Sequence, residues 1–309
     1  MAADPWLVLG AAAVEAAVGY PRRLHVVVPH PVAWIGWALR RLDQTLNRGS
    51  GRARRLAGVA TLLIVAGAAG GVGHVLDRAL TGWGLIFAAL IGSLGLAARS
   101  LYDHVAAVRR ALEADDLDAA RLAVGMIVGR DTAHLDRDGV ATAALESLAE
   151  SFNDGVIAPL FWFLVGGLAG LFVYKAVNTA DSVIGHLEAP YRDFGWAAAR
   201  TDDLMNLIPA RIAGGLIALV AGRGWRTMLR DAPRHASPNA GWPEAAMAGA
   251  LGVKLGGPAT YDGLVHQRPI FGVGLAPTPL DLTRGLGLYL LACGLSAALL
   301  ALGGFVWPR

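Results

Sequence analysis

Cysteine is almost absent from this chain of 309 residues: Cys293 stands alone inside an apolar run. An intramolecular disulfide is therefore impossible, and an oxidising compartment is not implied. Charge is scarce as well, at 17% of residues, where an ordinary soluble domain carries roughly 25%. Lysine occurs only as Lys175 and Lys254, so the net charge of +3 rests on arginine. Aromatic-interleaved basic patches and zinc-finger spacings are missing, which argues against nucleic acid as a partner. None of the eight histidines forms an H-x-x-x-H pair, so no zinc site is expected. There is no internal repeat and no low-complexity tail. Disorder is excluded, because it needs low hydropathy and high charge, whereas 55% of these residues are hydrophobic.

What the chain does have is apolar length. Residues 5–20 form a short apolar run containing Glu15, read as an uncleaved first helix, since a signal peptide would begin with basic residues. Residues 56–76, 83–101, 156–177, 204–222 and about 285–307 are long enough to span a bilayer. The expected fold is therefore an all-α, polytopic membrane protein with five to six membrane segments, forming one domain over 1–309. Within 32–46, Ile35, Leu39, Leu42 and Leu46 recur at helical spacing, as in an amphipathic helix lying on a membrane. Residues 21–55 hold eight arginines against Asp43 alone, and 223–284 hold seven basic residues against four acids. The positive-inside rule puts these segments and 102–155 in the cytoplasm.

Strict alternation then sends 178–203 to the far side. Asp181 would lie about 30 Å from the cytoplasmic edge, too far to share a surface site with Glu146. Gly166, Gly167 and Gly170 permit a broken or re-entrant helix instead, provided protein shields its backbone.

The polar residues concentrate in 130–211. Glu146, Glu150 and Asp154 follow i, i+4, i+8 spacing on one helix face. Such a stripe costs about 0.2–0.5 kcal/mol per like-charge pair. A divalent cation or basic ligand would remove that cost; a solvated helix face is the plain alternative. Because the stripe runs into a membrane span, function is favoured. Lys175, Asn178 and Asp181 continue one face of a second helix, as a cavity lining does; a snorkelling lysine is the alternative. Asp202, Asp203 and Asn206 precede Pro209, a potential kink, and Arg211. An arginine inside an apolar run needs an anionic partner, either a neighbouring aspartate or a substrate phosphate. Arg130 and Asp131 open the region. Together these residues suit a membrane enzyme handling a phosphorylated, Mg²⁺-bound substrate. Lys254 to Pro258 reads as a helix C-terminal turn in preference to a phosphate loop. Gly241-Trp242-Pro243-Glu244 reads as the start of a helix with proline in its first turn.

The runs GRDT at 129–132, ALESLAESFNDGVIAPLF, YKAVNTADSVIGH, FGWAAARTDDLMNLIPARI and SPNAGWPEAAMAGALGVKLGG, with HPVAWIG at 30–36, resemble the CobD/CbiB family of integral-membrane adenosylcobinamide-phosphate synthases. The resemblance covers nearly the whole chain. It implies cobalamin biosynthesis by an ATP-dependent acid–amine ligase. Such a ligase joins aminopropanol, or its O-phosphate, to adenosylcobyric acid, with ATP as co-substrate and Mg²⁺ as cofactor. It further implies a multi-pass protein of the cell inner membrane whose active site faces the cytoplasm and which works beside other cobalamin-pathway enzymes. The candidate catalytic residues are Glu146, Glu150, Asp154, Asp181, Asp202 and Asp203, of which the first three are candidate metal ligands. Arg130, Asp131, Lys175, Asn178, Asn206 and Arg211 are the candidate substrate contacts. The alternatives are a UbiA-type Mg²⁺-dependent prenyltransferase, whose aspartate motifs N178-T-A-D181 and D202-D-L-M-N206 imitate loosely, and a non-enzymatic transporter.

Overall fold

The computed structural model describes residues 3–20, 29–186, 188 and 190–307. The first part of the arginine-rich stretch, 21–28 with His25, lies outside the described residues. Among the described residues, five helical segments are long and apolar enough to cross a membrane: Gly51–Ala79, Gly82–Glu113, Arg137–Ile184, Trp196–Ala221 and Pro279–Val306. The chain is thus a polytopic helical membrane protein, and the strands among the described residues are four short ones near the C-terminal end. It divides into two compact units built from interleaved stretches. One comprises Met1–Ala97, Ala158–Asn206 and Leu300–Arg309; the other comprises Ala98–Ile157 and Leu207–Leu299.

In the first unit, α1 (Pro5–Val18) begins where the Asp4 carboxylate accepts the Trp6 N–H at 2.9 Å, with proline at the first helical position. Helix α2 (Pro31–Leu46) carries the expected apolar face. Leu39 is fully buried, Ile35 and Leu42 pack beside it, and Leu46 is exposed. This helix runs along α3 (Gly51–Ala79) in the opposite direction. Asp43 accepts from Tyr191 Oη near Arg55, which pairs with Asp193, whereas Pro31 and Val32 share a cavity wall with Val72 and Leu76. Protein therefore covers Leu39 on its apolar face, while Ile35 and Leu42 line that cavity and Leu46 is exposed. The expected span 83–101 is interrupted: α4 (Leu85–Ser93) ends in a turn, and α5 restarts at Ala98 and runs to Glu113.

Helix α8 (Ala158–Ile184) is broken at Gly167, whose φ of 65° lies in the left-handed region. A Cβ on Gly170 would lie 2.4 Å from the carbonyl oxygen of Trp162, eight residues earlier. A continuous helix, rising 1.5 Å per residue, cannot bring those atoms together. The chain therefore reverses at Gly167, and 156–177 is not one straight pass. Strict alternation counted a crossing here that the backbone does not make. The returning half-helix begins with exposed backbone donors, and Asp77 on α3 satisfies two of them, the N–H groups of Leu168 (3.0 Å) and Ala169 (3.2 Å). Along α3 this half-helix packs Ala176, Val177, Ala180 and Ile184 against Leu62 and Val65. Then come α9 (Tyr191–Phe194) and α10 (Trp196–Ala221), which continues through Pro209.

The second unit is organised around α7 (Arg137–Phe152). Asp136 caps it by accepting the Gly139 N–H at 2.8 Å. Val140, Ala141, Ala143, Ala144, Leu145 and Leu148 are fully buried. Helix α6 (Leu117–Gly125), α5, α11 (Trp225–Asp231) and α12 (Gly241–Leu251) belong to this unit. A π-turn, Asn153–Ile157, follows α7. The edge of the Phe152 ring meets Tyr289 of α13 (Pro279–Val306), whose hydroxyl donates to the Ala98 carbonyl at 2.8 Å. As expected, Pro243 lies in the first turn of α12. The stretch after that helix departs from expectation. The helix stops at Gly252 (φ 75°), and Leu255–Gly256 forms strand β1 rather than a helix C-terminal turn. Strands β2 (Ala259–Tyr261) and β3 (Leu264–His266) form a hairpin, and β4 (Ile270–Phe271) returns to pair antiparallel with β1. Buried Asp231 anchors this excursion by accepting the Gly272 N–H at 2.9 Å, and Arg230 and Arg234 neutralise it.

Candidate active site

Helix α7 carries Glu146 into a cavity of about 340 Å³ in the second unit. The Glu146 carboxylate is almost fully buried and accepts from Arg130, from Arg268 at 3.0 Å, and from the backbone N–H of Gly256. A buried carboxylate needs such pairing, since an unpaired one would cost several kcal/mol of desolvation (~3–5 when one partner is removed). One turn on, Glu150 is exposed to the cavity space, beside Ser147 and Ser151. Helix α12 contributes Glu244, whose carboxylate stands 3.7 Å from His235 Nε2 and 3.9 Å from Arg268. Its Oε2 is buried and has no hydrogen-bond partner. Tyr261, Gln267 and Arg268 come from the β excursion, and Arg268 donates to the Tyr261 hydroxyl at 3.4 Å.

The electrostatics follow from this crowding. Burial, and then the nearby Glu146 and Glu150, push the Glu244 carboxyl well above the usual carboxylate range. Burial works against the charge on Arg268, but Glu146 and Glu244 overcome it and raise its pKa. Burial lowers the pKa of His235, whose Nδ1 accepts the Ser237 N–H at 2.9 Å. The result is a pocket with two fixed cations, the carboxyl groups of Glu146, Glu150 and Glu244, and several neutral polar groups. It suits a phosphorylated or carboxylated ligand that also carries an amine.

The structure brings Arg130, Glu146 and Glu150 together in this cavity. Asp154 is not among the lining residues; it sits on the π-turn after α7, held by the Asn153 amide at 2.7 Å. Asp131 lies beside the cavity, and its carboxylate binds the backbone of Gly263. Arg211 is exposed. It donates to the Leu207 carbonyl at 2.7 Å and to Asn239 at 3.3 Å, and it stacks 4.5 Å from the Trp242 ring. The buried arginine expected from the apolar run is thus satisfied by carbonyls, an amide and an indole face. Glu244, His235, Tyr261, Gln267 and Arg268 had not been singled out as site residues. For Glu244 a signal existed, a lone charged residue in a helix whose other residues are all glycine or apolar.

The other candidates form a row in the first unit. Lys175 donates to Asn178 (3.4 Å), and Asn178 donates to Asp202 (3.3 Å). Asn206 donates to Asp202 (3.0 Å) and accepts from the buried Tyr174 hydroxyl (3.2 Å). Asp203 pairs with Arg200 at 3.3 Å, and Asp181 is half-buried on the same half-helix as Asn178. Among the described residues, no group of three or more His, Cys, Asp or Glu side chains is arranged to hold a metal ion by itself.

Comparison with known proteins accords with the motifs. The family model described as CobD/Cbib protein matches residues 8–289. The protein named Cobalamin biosynthesis protein CobD of Rhodobacter capsulatus is 48% identical over 300 residues, covering 95% of each chain. Proteins of the same name from Sinorhizobium fredii and Brucella suis are 44% and 46% identical, covering 96% and 82% of each chain. No solved structure matches the chain. With a family match across most of its length and relatives this similar, the chain belongs to the CobD/CbiB family.

Proposed function

We propose that this chain acts in cobalamin biosynthesis as an ATP-dependent acid–amine ligase, joining aminopropanol or its O-phosphate to a propionate carboxylate of adenosylcobyric acid. The observation that carries the reading is the cavity in which Arg130 and Arg268 grip Glu146 beside Glu150 and Glu244. A carboxylate is a poor electrophile. In the proposed reaction one of its oxygens attacks the γ-phosphorus of ATP, ADP leaves, and an acyl phosphate forms. The amine nitrogen then attacks the acyl carbon, inorganic phosphate departs with the C–O bonding pair, and the nitrogen loses a proton. Arg130 and Arg268 offset charge on the phosphoryl oxygens. Glu150, the accessible carboxylate, receives the amine proton.

Mg²⁺ fits this donor set as an ion shared with substrate phosphates, because it needs only one or two protein carboxylates. Glu244 would hold it, through the buried oxygen that has no hydrogen-bond partner. Bound there, it would supply charge neutralisation for phosphoryl transfer. The row Lys175–Asn178–Asp202–Asn206 is assigned to holding polar groups of the substrates. The enzyme works in the cell membrane with its cavity open to the cytoplasm, a placement supported by the arginine-rich segments and by the supply of ATP on that side.

The test is incubation of the purified full chain in lipid nanodiscs with adenosylcobyric acid, MgATP and each amine in turn. The expected product is the amide, with ADP formed in equal amount. Its absence with both amines refutes the reading. Glu150→Gln should lower turnover at least tenfold, less than the roughly 10²–10⁴ that full loss of proton transfer costs because water partly substitutes.

A further inference from the structure

Asp131 is not among the residues that line the cavity, yet it sits next to Arg130 in sequence and holds a different element. That element is the β2–β3 hairpin. Its two-residue turn, Asp262-Gly263, has φ of 48° and 76°, the mirror-image turn that matches strand twist. A two-stranded hairpin is marginal by itself in water, and here all three residues of β3 are exposed. Its base is fixed by β1–β4 pairing and by the Gly256 N–H on Glu146. Its tip is fixed by Asp131 twice: the Asp131 N–H donates to the Thr260 carbonyl at 2.8 Å, and Oδ2 accepts the Gly263 N–H at 2.8 Å. Between base and tip, Tyr261, Gln267 and Arg268 form one wall of the cavity.

We infer that Asp131 is a positioning residue: it latches the β2–β3 hairpin so that Tyr261 and Arg268 are presented to the ligand, and it makes no contact with substrate or metal. The inference rests on the proposed use of the cavity. It makes the sequence-based role of Asp131 as a substrate contact indirect. The function of the latch needs an acceptor at Oδ2, not a negative charge.

That distinction separates the roles experimentally. Asn keeps an oxygen for Gly263, so Asp131→Asn should insert normally and keep KM and kcat within about threefold of wild type. Asp131→Ala removes the bond, whose loss is worth about tenfold or more. It should raise KM for adenosylcobyric acid by that factor and change kcat less. A direct contact through charge, to metal or to ammonium, predicts instead that Asn is as damaging as Ala. A second readout needs no turnover. In a Cys293→Ala background, Ser151→Cys on the cavity wall is alkylated by iodoacetamide, and adding Asp131→Ala should speed that reaction about tenfold, whereas adding Asp131→Asn should not. If the ligase reading fails, no variant turns over but the labelling contrast persists. Failure of Asp131→Asn to insert, an inserted but inactive Asp131→Asn, or unchanged labelling and KM in Asp131→Ala overturns the latch. An Asp131→Ala that fails to insert beside a normal Asp131→Asn supports it.

Discussion

Replacing Glu146 by glutamine leaves two arginines facing a neutral amide in a nearly dry wall. The Glu146 side chain is 3% exposed, and those of Arg130 and Arg268 are 11% and 18% exposed. Removing one member of a buried ion pair costs ~3–5 kcal/mol. Glutamine keeps one carbonyl oxygen for the Gly256 N–H, and the cavity admits water to Arg268, so the lower end applies, about 3 kcal/mol. If the unit made of Ala98–Ile157 and Leu207–Leu299 melts cooperatively, that cost lowers its thermal midpoint by about 6–12 °C, at the roughly 2–4 °C per kcal/mol expected of its size. Tryptophan-fluorescence melting in detergent measures this directly. Arg268→Gln added to Glu146→Gln removes one of the stranded charges and should recover part of the loss, giving a coupling of about 1 kcal/mol or more in the double-mutant cycle. A Glu146→Gln variant that melts within about 1 °C of wild type would refute the claim that this triad holds the cavity together.

Three further outcomes follow from the geometry. Because burial and nearby carboxylates raise the Glu244 carboxyl above 4.5, the folded chain binds that proton more tightly than the unfolded chain. Its stabilisation is full below pH 4.5 and is lost as pH rises through the folded value, so Glu244→Gln should flatten the decline in melting midpoint from pH 5 to 9. Gly167→Ala should cost at least ~1–2 kcal/mol for the left-handed backbone, and more because its Cβ would lie 2.6 Å from Asp77 Oδ2; detergent-solubilised yield and melting report it. Asp202→Ala removes the carboxylate that accepts from the amides of Asn178 and Asn206 and should lower kcat/KM about tenfold, measured on amide product.

The helical spans, the loop helix at 31–46 and the pairing of Glu146 with Glu150 were legible because each depends on a period within one segment. The reversal at Gly167 was half legible. The glycines permitted it, but the position depends on Asp77, ninety residues earlier, reaching two backbone donors. Asp154 follows the i+8 rule on paper, yet it falls on the π-turn at Asn153–Ile157 and is not part of the cavity wall. Arg268, Tyr261 and Gln267 had no local signature, because a strand pair and a hairpin carry them to α7 from more than a hundred residues away. Arg211 shows the converse: a cation in an apolar run called for a neighbouring aspartate or a substrate phosphate, and within the chain Trp242, the Asn239 amide and backbone carbonyls hold it.

Carboxylate activation by ATP is the centre of the proposed reaction, and oxygen isotopes report on it directly. Adenosylcobyric acid labelled with ¹⁸O in its reacting carboxylate is incubated with the full chain, MgATP and aminopropanol or its O-phosphate, and the phosphate released is analysed by mass spectrometry. An acyl phosphate intermediate delivers one ¹⁸O to inorganic phosphate for each amide formed, with ADP as the nucleotide product. Label appearing in AMP, or amide formation with no ¹⁸O in phosphate, would contradict it.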